Sequence, residues 1–252
     1  MALEYVAFAV WCFAVAFAGG LVGLVLGNLR LPATLLVAAS PAAATGANLI
    51  VSAAAAGTAS IAHIRAGRIN WRLFAWMAPP SIAGAVVGGY LSGELPRGVL
   101  LGFIAAVLLY SGIDLLRWKP KPRPAGPTED PSNLDIPAAV ASGAIIGFLG
   151  GIVGLILGSL RMPALLRWVG EVPARAVGTN LAVGFWVGLA GVVGHLPGGV
   201  DWTALGAGAG ASVPGALIGA RLTGRMSEQQ LLRGIGAILV VAGIATAVQA
   251  FV

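Results

Sequence analysis

Two arginines stand in apolar sequence, and each occupies the same place in a repeated phrase. Gly23-Leu24-Val25-Leu26-Gly27-Asn28-Leu29-Arg30-Leu31-Pro32 returns as Gly154-Leu155-Ile156-Leu157-Gly158-Ser159-Leu160-Arg161-Met162-Pro163. A guanidinium carries a fixed positive charge and a planar fork of donors that matches carboxylate or sulfonate oxygens. At the centre of a bilayer an arginine costs about 2.5–3.5 kcal/mol on insertion scales, so two of them call for a compensating charge. No acidic residue lies at comparable depth in these phrases: Asp114 falls near a segment end, and Glu94 and Glu171 fall in loops. A bound anion is the natural compensation, which makes Arg30 and Arg161 the first candidate ligands. The alternative is that they snorkel to an interface or cap carbonyls.

The neighbours of the arginines fit the same chemistry. Gly27 and Gly158 loosen a helix end, a residue before proline is pushed out of helical geometry, and Pro32 and Pro163 suit the first turn of a new helix. Each phrase therefore predicts helix, unwound break, helix. The second helix points its free N–H groups and partial positive charge at the break. Asn28 and Ser159 are capping-type residues just upstream of the prolines and can also donate to a ligand. Thr45 and Asn48 after Pro41, and Thr179 and Asn180 after Pro173, are uncharged donors near two further helix starts. They either complete the anion site or hydrogen-bond between helices. His63 and His195 sit at helix ends, where a hydrogen bond is their expected role and titration a second one. There is no Walker loop, no metal-type cluster and no supported Ser/His/Asp arrangement. No cofactor, metal or enzymatic activity is expected.

The elements that position these residues are membrane helices. Charged residues are 10% of the chain and apolar ones 58%, far from a soluble composition. Apolar stretches of about 20 residues, enough to cross the hydrocarbon core, recur at 5–27, 42–64, 73–93, 98–116, 136–158, 176–196, 202–222 and 231–251. Gly84-x-x-x-Gly88 and Gly215-x-x-x-Gly219 read as close-packing faces. Trp11, Trp71, Trp76, Trp118, Trp168 and Trp202 read as interfacial anchors. Met1 to Tyr5 carries a glutamate where a secretory signal carries basic residues, so 5–27 reads as a retained segment. Cys12 is the single cysteine and no disulfide framework exists. The net charge of +6 sits at helix ends and reports orientation, not nucleic-acid binding.

The chain divides into repeat one (1–116), a polar, proline-rich linker (117–135) and repeat two (136–252). Pro41…Gly46-Ala47-Asn48-Leu49 matches Pro173…Gly178-Thr179-Asn180-Leu181, and His63 matches His195. Arg65, Arg68 and Arg72 mark one loop of repeat one, whereas repeat two carries its arginines one loop later, at Arg221, Arg225 and Arg233. Under the positive-inside rule this switch implies inverted repeats, with the linker cytoplasmic and both termini outside. Inversion needs an odd number of crossings, so 5–40 and 136–172 are expected to form broken, re-entrant hairpins.

The chain resembles the TauE/SafE sulfite exporter family, also called the toluene-sulfonate uptake permease family. The family phrase is approximately G-x-G-G-G-x-x-x-x-P. Gly23, Gly27 and Pro32 match it in the first half, and Gly154, Gly158 and Pro163 in the second. Gly178 to Leu181, the surroundings of His195, and Gly215 with Gly219 also look like the family. The two middle glycines are here Val25-Leu26 and Ile156-Leu157, and an arginine has been added in each half. The resemblance implies a carrier, often an exporter, for sulfite, sulfoacetate and related organic anions in the cell inner membrane. The expectation is an all-α secondary transporter working by alternating access around the arginine pair, with a proton or sodium ion as the candidate coupling ion and a homodimer as the candidate assembly. An anion channel and a membrane assembly subunit are the alternatives.

Overall fold

A computed structural model describes residues 2–91, 97–118, 134–195 and 199–251. The greater part of the 117–135 linker therefore lies outside the described residues. Ten helices follow one another: α1 Ala2–Val22, α2 Gly27–Val37, α3 Pro41–Arg65, α4 Trp71–Tyr90, α5 Arg97–Arg117, α6 Ile136–Val153, α7 Gly158–Arg167, α8 Pro173–His195, α9 Trp202–Thr223 and α10 Glu228–Phe251. No strand occurs among the described residues. Seven of these helices are long and apolar enough to cross a membrane. The eight apolar stretches each become one long helix, α4 included, and the two phrases supply the short ones, α2 and α7.

The first hairpin closes on itself. Tyr5 Oη donates to the carbonyl of Val37 (3.2 Å) and Trp11 Nε1 to that of Leu29 (3.0 Å). The end of α2 thus lies beside the start of α1, and the start of α2 lies level with the middle of α1. Trp11 fastens the hairpin at mid-helix instead of anchoring an interface. In the second half the amide of Asp135 donates to the carbonyl of Val169 (3.2 Å), so the start of α6 and the end of α7 meet in the same way. With 11 residues in α2 and about 1.5 Å of rise each, the short helix covers about half a hydrocarbon core.

Long helices pair across the linker. Close approach along α1–α9 brings Gly215 onto the carbonyl of Phe13 and Gly219 onto that of Phe17, so these helices run parallel. Gly84 and Gly88 meet the carbonyls of Ala144 and Phe148 in the same manner along α4–α6. The equivalent helices α3 and α8 run antiparallel: Leu49 faces Gly191, Ala53 faces Gly188, and Gly57 faces Phe185. So do α5 and α10, with Gly98 against Ala250 and Gly112 against Gly236. Following these directions, Arg65, Arg68, Arg117, Arg175, Arg221 and Arg225 fall at one end of the bundle.

A Cβ at Gly88 or Gly219 would sit inside van der Waals contact with a neighbouring carbonyl, whereas one at Gly89 meets nothing within 4 Å. Gly88→Ala and Gly219→Ala should each cost about 1–3 kcal/mol through overpacking, and Gly89→Ala should be neutral. Melting temperatures in detergent decide this; equal melting of Gly88→Ala and Gly89→Ala would show that close approach does not hold the pair.

The turn before α3 is pinned by Asp201, whose Oδ1 accepts from the amide of Ala204 (2.8 Å) and Oδ2 from that of Ala39 (2.9 Å). These bonds hold the carboxyl below the usual carboxylate range. The folded pKa lies below the unfolded one, so the stabilisation is present above about pH 4 and is lost as the pH falls through the folded value. Melting curves from pH 6 to pH 3 should therefore fall less steeply for Asp201→Asn than for the parent; parallel curves would remove Asp201 as the acid-sensitive group.

Candidate functional site

The breaks are built alike in both halves. Gly23 (φ 73°) and Gly154 (φ 71°) adopt left-handed backbone, and the amides of Leu24 and Leu155 return to the carbonyls of Gly19 and Gly150 (2.9 Å each). This terminates α1 and α6 by the usual glycine geometry. Three non-helical residues follow, and then α2 and α7 begin at Gly27 and Gly158. The prolines do not start these helices, contrary to the sequence expectation. Pro32 lies inside α2 and Pro163 inside α7, so Asn28, Ser159 and both arginines stand in or beside the first turn and do not precede it. A proline inside a helix frees the carbonyl four residues before it. For Pro32 that is Asn28, whose carbonyl accepts from Gln249 Nε2 (3.0 Å). A neighbouring helix thus satisfies the carbonyl that Pro32 leaves free. The N-caps are Leu26 and Leu157, and neither makes a side-chain cap bond.

Arg30 and Arg161 are 2% and 0% exposed, which removes snorkelling to solvent. Arg30 Nη1 donates to Ser52 Oγ (2.9 Å), and the Cys12 thiol lies beside the guanidinium. Arg161 Nη1 donates to Asn180 Oδ1 (3.2 Å). Neither arginine has a carboxylate partner among the described residues. The ion pairs found there, Arg167–Asp114 and Arg175–Glu171, lie elsewhere. Arg30 Nε and Arg161 Nε and Nη2 are buried with no hydrogen-bond partner. A narrow crevice between α1 and α3, bordered by Gly19, Gly20, Leu26, Arg30, Ser52 and Ala56, has room for about one water. Arg161 is not among the residues lining it.

The paired asparagines clasp the new helices. Asn48 Nδ2 donates to the Gly27 carbonyl (3.1 Å). Asn180 Nδ2 donates to the carbonyls of Gly158 (2.8 Å) and of Gly23 in the other half (2.7 Å). The two breaks lie against each other, with Val25 packed on Gly158 and Gly184, and Ile156 on Gly188.

The sequence profile described as sulfite exporter TauE/SafE matches residues 8–246. The chain belongs to the TauE/SafE family. It is similar to the probable membrane transporter protein YjnA of Bacillus subtilis (strain 168), with 26% identity over 249 residues that cover 90% of this chain and 95% of the relative. It is likewise similar to the probable membrane transporter protein y4hK of Sinorhizobium fredii (strain NBRC 101917 / NGR234), with 28% identity over 254 residues covering 97% and 98%. No solved structure matches it. This TauE/SafE chain is a multi-pass integral membrane protein of a transporter family.

Not every candidate residue of the TauE/SafE chain lies among the arginines. Arg30, Asn48 and Gly27 gather at the first break, and Arg161, Asn180 and Gly158 at the second. Asn28 Nδ2 turns to Thr246 Oγ1 on α10 (3.0 Å). Thr45 Oγ1 donates to the Pro41 carbonyl of its own helix (3.0 Å), and Thr179 Oγ1 accepts from the amide of Asn70 at the start of α4 (3.0 Å). Ser159 is buried. Ser52, the partner of Arg30, is a residue that sequence reasoning passed over. Its signal was its place one helical turn after Asn48 on the same face.

Proposed function

We propose that this protein moves small organic or sulfur-containing anions, such as sulfonates, sulfoacetate or sulfite, out of the cell across the inner membrane. The observation that carries this reading is the pair of buried guanidiniums, one from each repeated phrase, with donors left over and no carboxylate partner among the described residues. Arg30 and Arg161 bind the anion, Asn48 and Asn180 hold the helix starts that carry them, and the N-terminal amides of α2 and α7 add partial positive charge. The narrow crevice at Arg30, with room for about one water, corresponds in this reading to a closed state. Residues 1–116 and 136–252 form inverted repeats, a reading supported by the antiparallel run of their equivalent helices. Alternating access comes from rocking one half against the other, with the arginine-rich bundle end in the cytoplasm.

The test is counterflow in proteoliposomes. Vesicles preloaded with unlabelled sulfoacetate should accumulate external labelled sulfoacetate transiently, and sulfite and simple carboxylates should compete to different extents. Sulfoacetate should also raise the melting temperature of the purified protein by mass action. Unitary currents without counterflow would make it a channel. Absence of flux and of any anion-dependent stabilisation would leave the assembly-subunit reading.

A further inference from the structure

On α3 the crevice at Arg30 is bordered by Ser52, Ala55 and Ala56. Beyond it, Ala59 and His63 continue the Ser52–Ala56 face at helical spacing, and both are buried. His63 stands 11 residues past Ser52, about 16 Å along the axis, and closes the end of this face nearest the arginine-rich bundle end. Its imidazole lies beside the carbonyl of Gly20, a crevice residue, yet neither ring nitrogen makes a hydrogen bond of normal geometry.

The elements around His63 offer it no acceptor of negative charge. From the α3–α4 turn comes Arg68, whose amide donates to the His63 carbonyl (2.9 Å) and whose carbonyl packs with the His63 Cβ on Gly178. Arg68 Nη1 is itself buried without a partner, and burial pulls the Arg68 pKa below the usual arginine value. From α8 comes the backbone of Gly178, and from α9 Thr223, whose hydroxyl is bonded to the carbonyls of Gly20 and Leu21. Glu171 is turned to Asn70 and Arg175. A protonated His63 would set two cations side by side in a buried place, and a buried charge without a partner is strongly unfavourable.

We propose that His63 and Arg68 form a proton-operated vestibule to the arginine site: a proton from water at the Arg68 end adds to the imidazole, the closed packing opens, and a small oxyanion enters as counter-ion to both groups before passing to Arg30. The proposal rests on the anion-transport reading above and deepens it. The closed packing opposes a second cation beside Arg68, whereas the opened imidazole has its free titration range, so protons favour the open form.

The test uses the full chain with Cys12→Ala and a cysteine at Ala56. The probe is sulfonatoethyl methanethiosulfonate, an anionic thiol reagent, applied from the arginine-rich side. Its rate is divided by that of the exposed control Ser227→Cys at each pH. The ratio should rise at least tenfold between pH 8 and pH 5.5, and His63→Gln should make it flat. Ala55→Cys on the same crevice serves if Ala56→Cys does not fold. A ratio independent of pH with His63 present, or the same rise in His63→Gln, overturns the gate. A pH-gated ratio without sulfoacetate counterflow would keep the gate and overturn the substrate reading, so the two fail separately.

Discussion

Arg161→Ala and Arg30→Ala are each expected to lower the affinity for sulfoacetate at least tenfold, about 1.4 kcal/mol or more. Each guanidinium uses one nitrogen on a side chain of its own half, Asn180 or Ser52, and keeps at least one buried nitrogen unpaired. Those spare donors are what an anion would take. Lysine should rescue partly, since it keeps the charge and loses the planar fork. The unliganded alanine variants should be no less stable than the parent, because each removes a buried charge that has no carboxylate partner among the described residues. Affinity and unliganded melting temperature must be read together. Unchanged affinity with lowered melting would make the arginines helix-fastening devices and end the binding-site reading.

The second large effect falls on Asn180. Its amide nitrogen holds two carbonyls, one from each half, and its oxygen accepts from Arg161. Asn180→Ala strands three buried groups, and a stranded buried group costs about 1–3 kcal/mol; a loss of about 3 kcal/mol or more is expected. Asn48 makes one such bond, to Gly27, and Asn48→Ala should cost about a third as much. The comparison of melting temperatures between the two variants is the check. If Asn48→Ala is the more damaging, Asn180 does not join the halves.

Much of this architecture was legible because membrane helices announce themselves by length and composition, and because the chain repeats itself. The glycine pairs at Gly84/Gly88 and Gly215/Gly219 mark helix contacts. The break was legible only in outline. Pro32 and Pro163 suggested where helices begin, but proline reports a missing donor, and Gln249, more than 200 residues away in sequence, supplies one. No local pattern contains that partner. The same holds for the candidate site. The arginines stood out as costly charges, whereas Ser52 is an ordinary helix serine until α2 folds back over it. Thr179 accepts from the amide of Asn70, the N-cap of α4, a partner in the other half that no local pattern around Thr179 contains.

The helix partnerships that cross the linker bear on how such a chain is made. α1 rests on α9, and α6 rests on α4, so the opening helix, held at first only to α2 in its hairpin, meets its long partner some 200 residues later. Neither half contains its own closing surface, and the two are expected to become rigid only together. An antiparallel pair of identical half-length chains would reproduce every one of these partnerships.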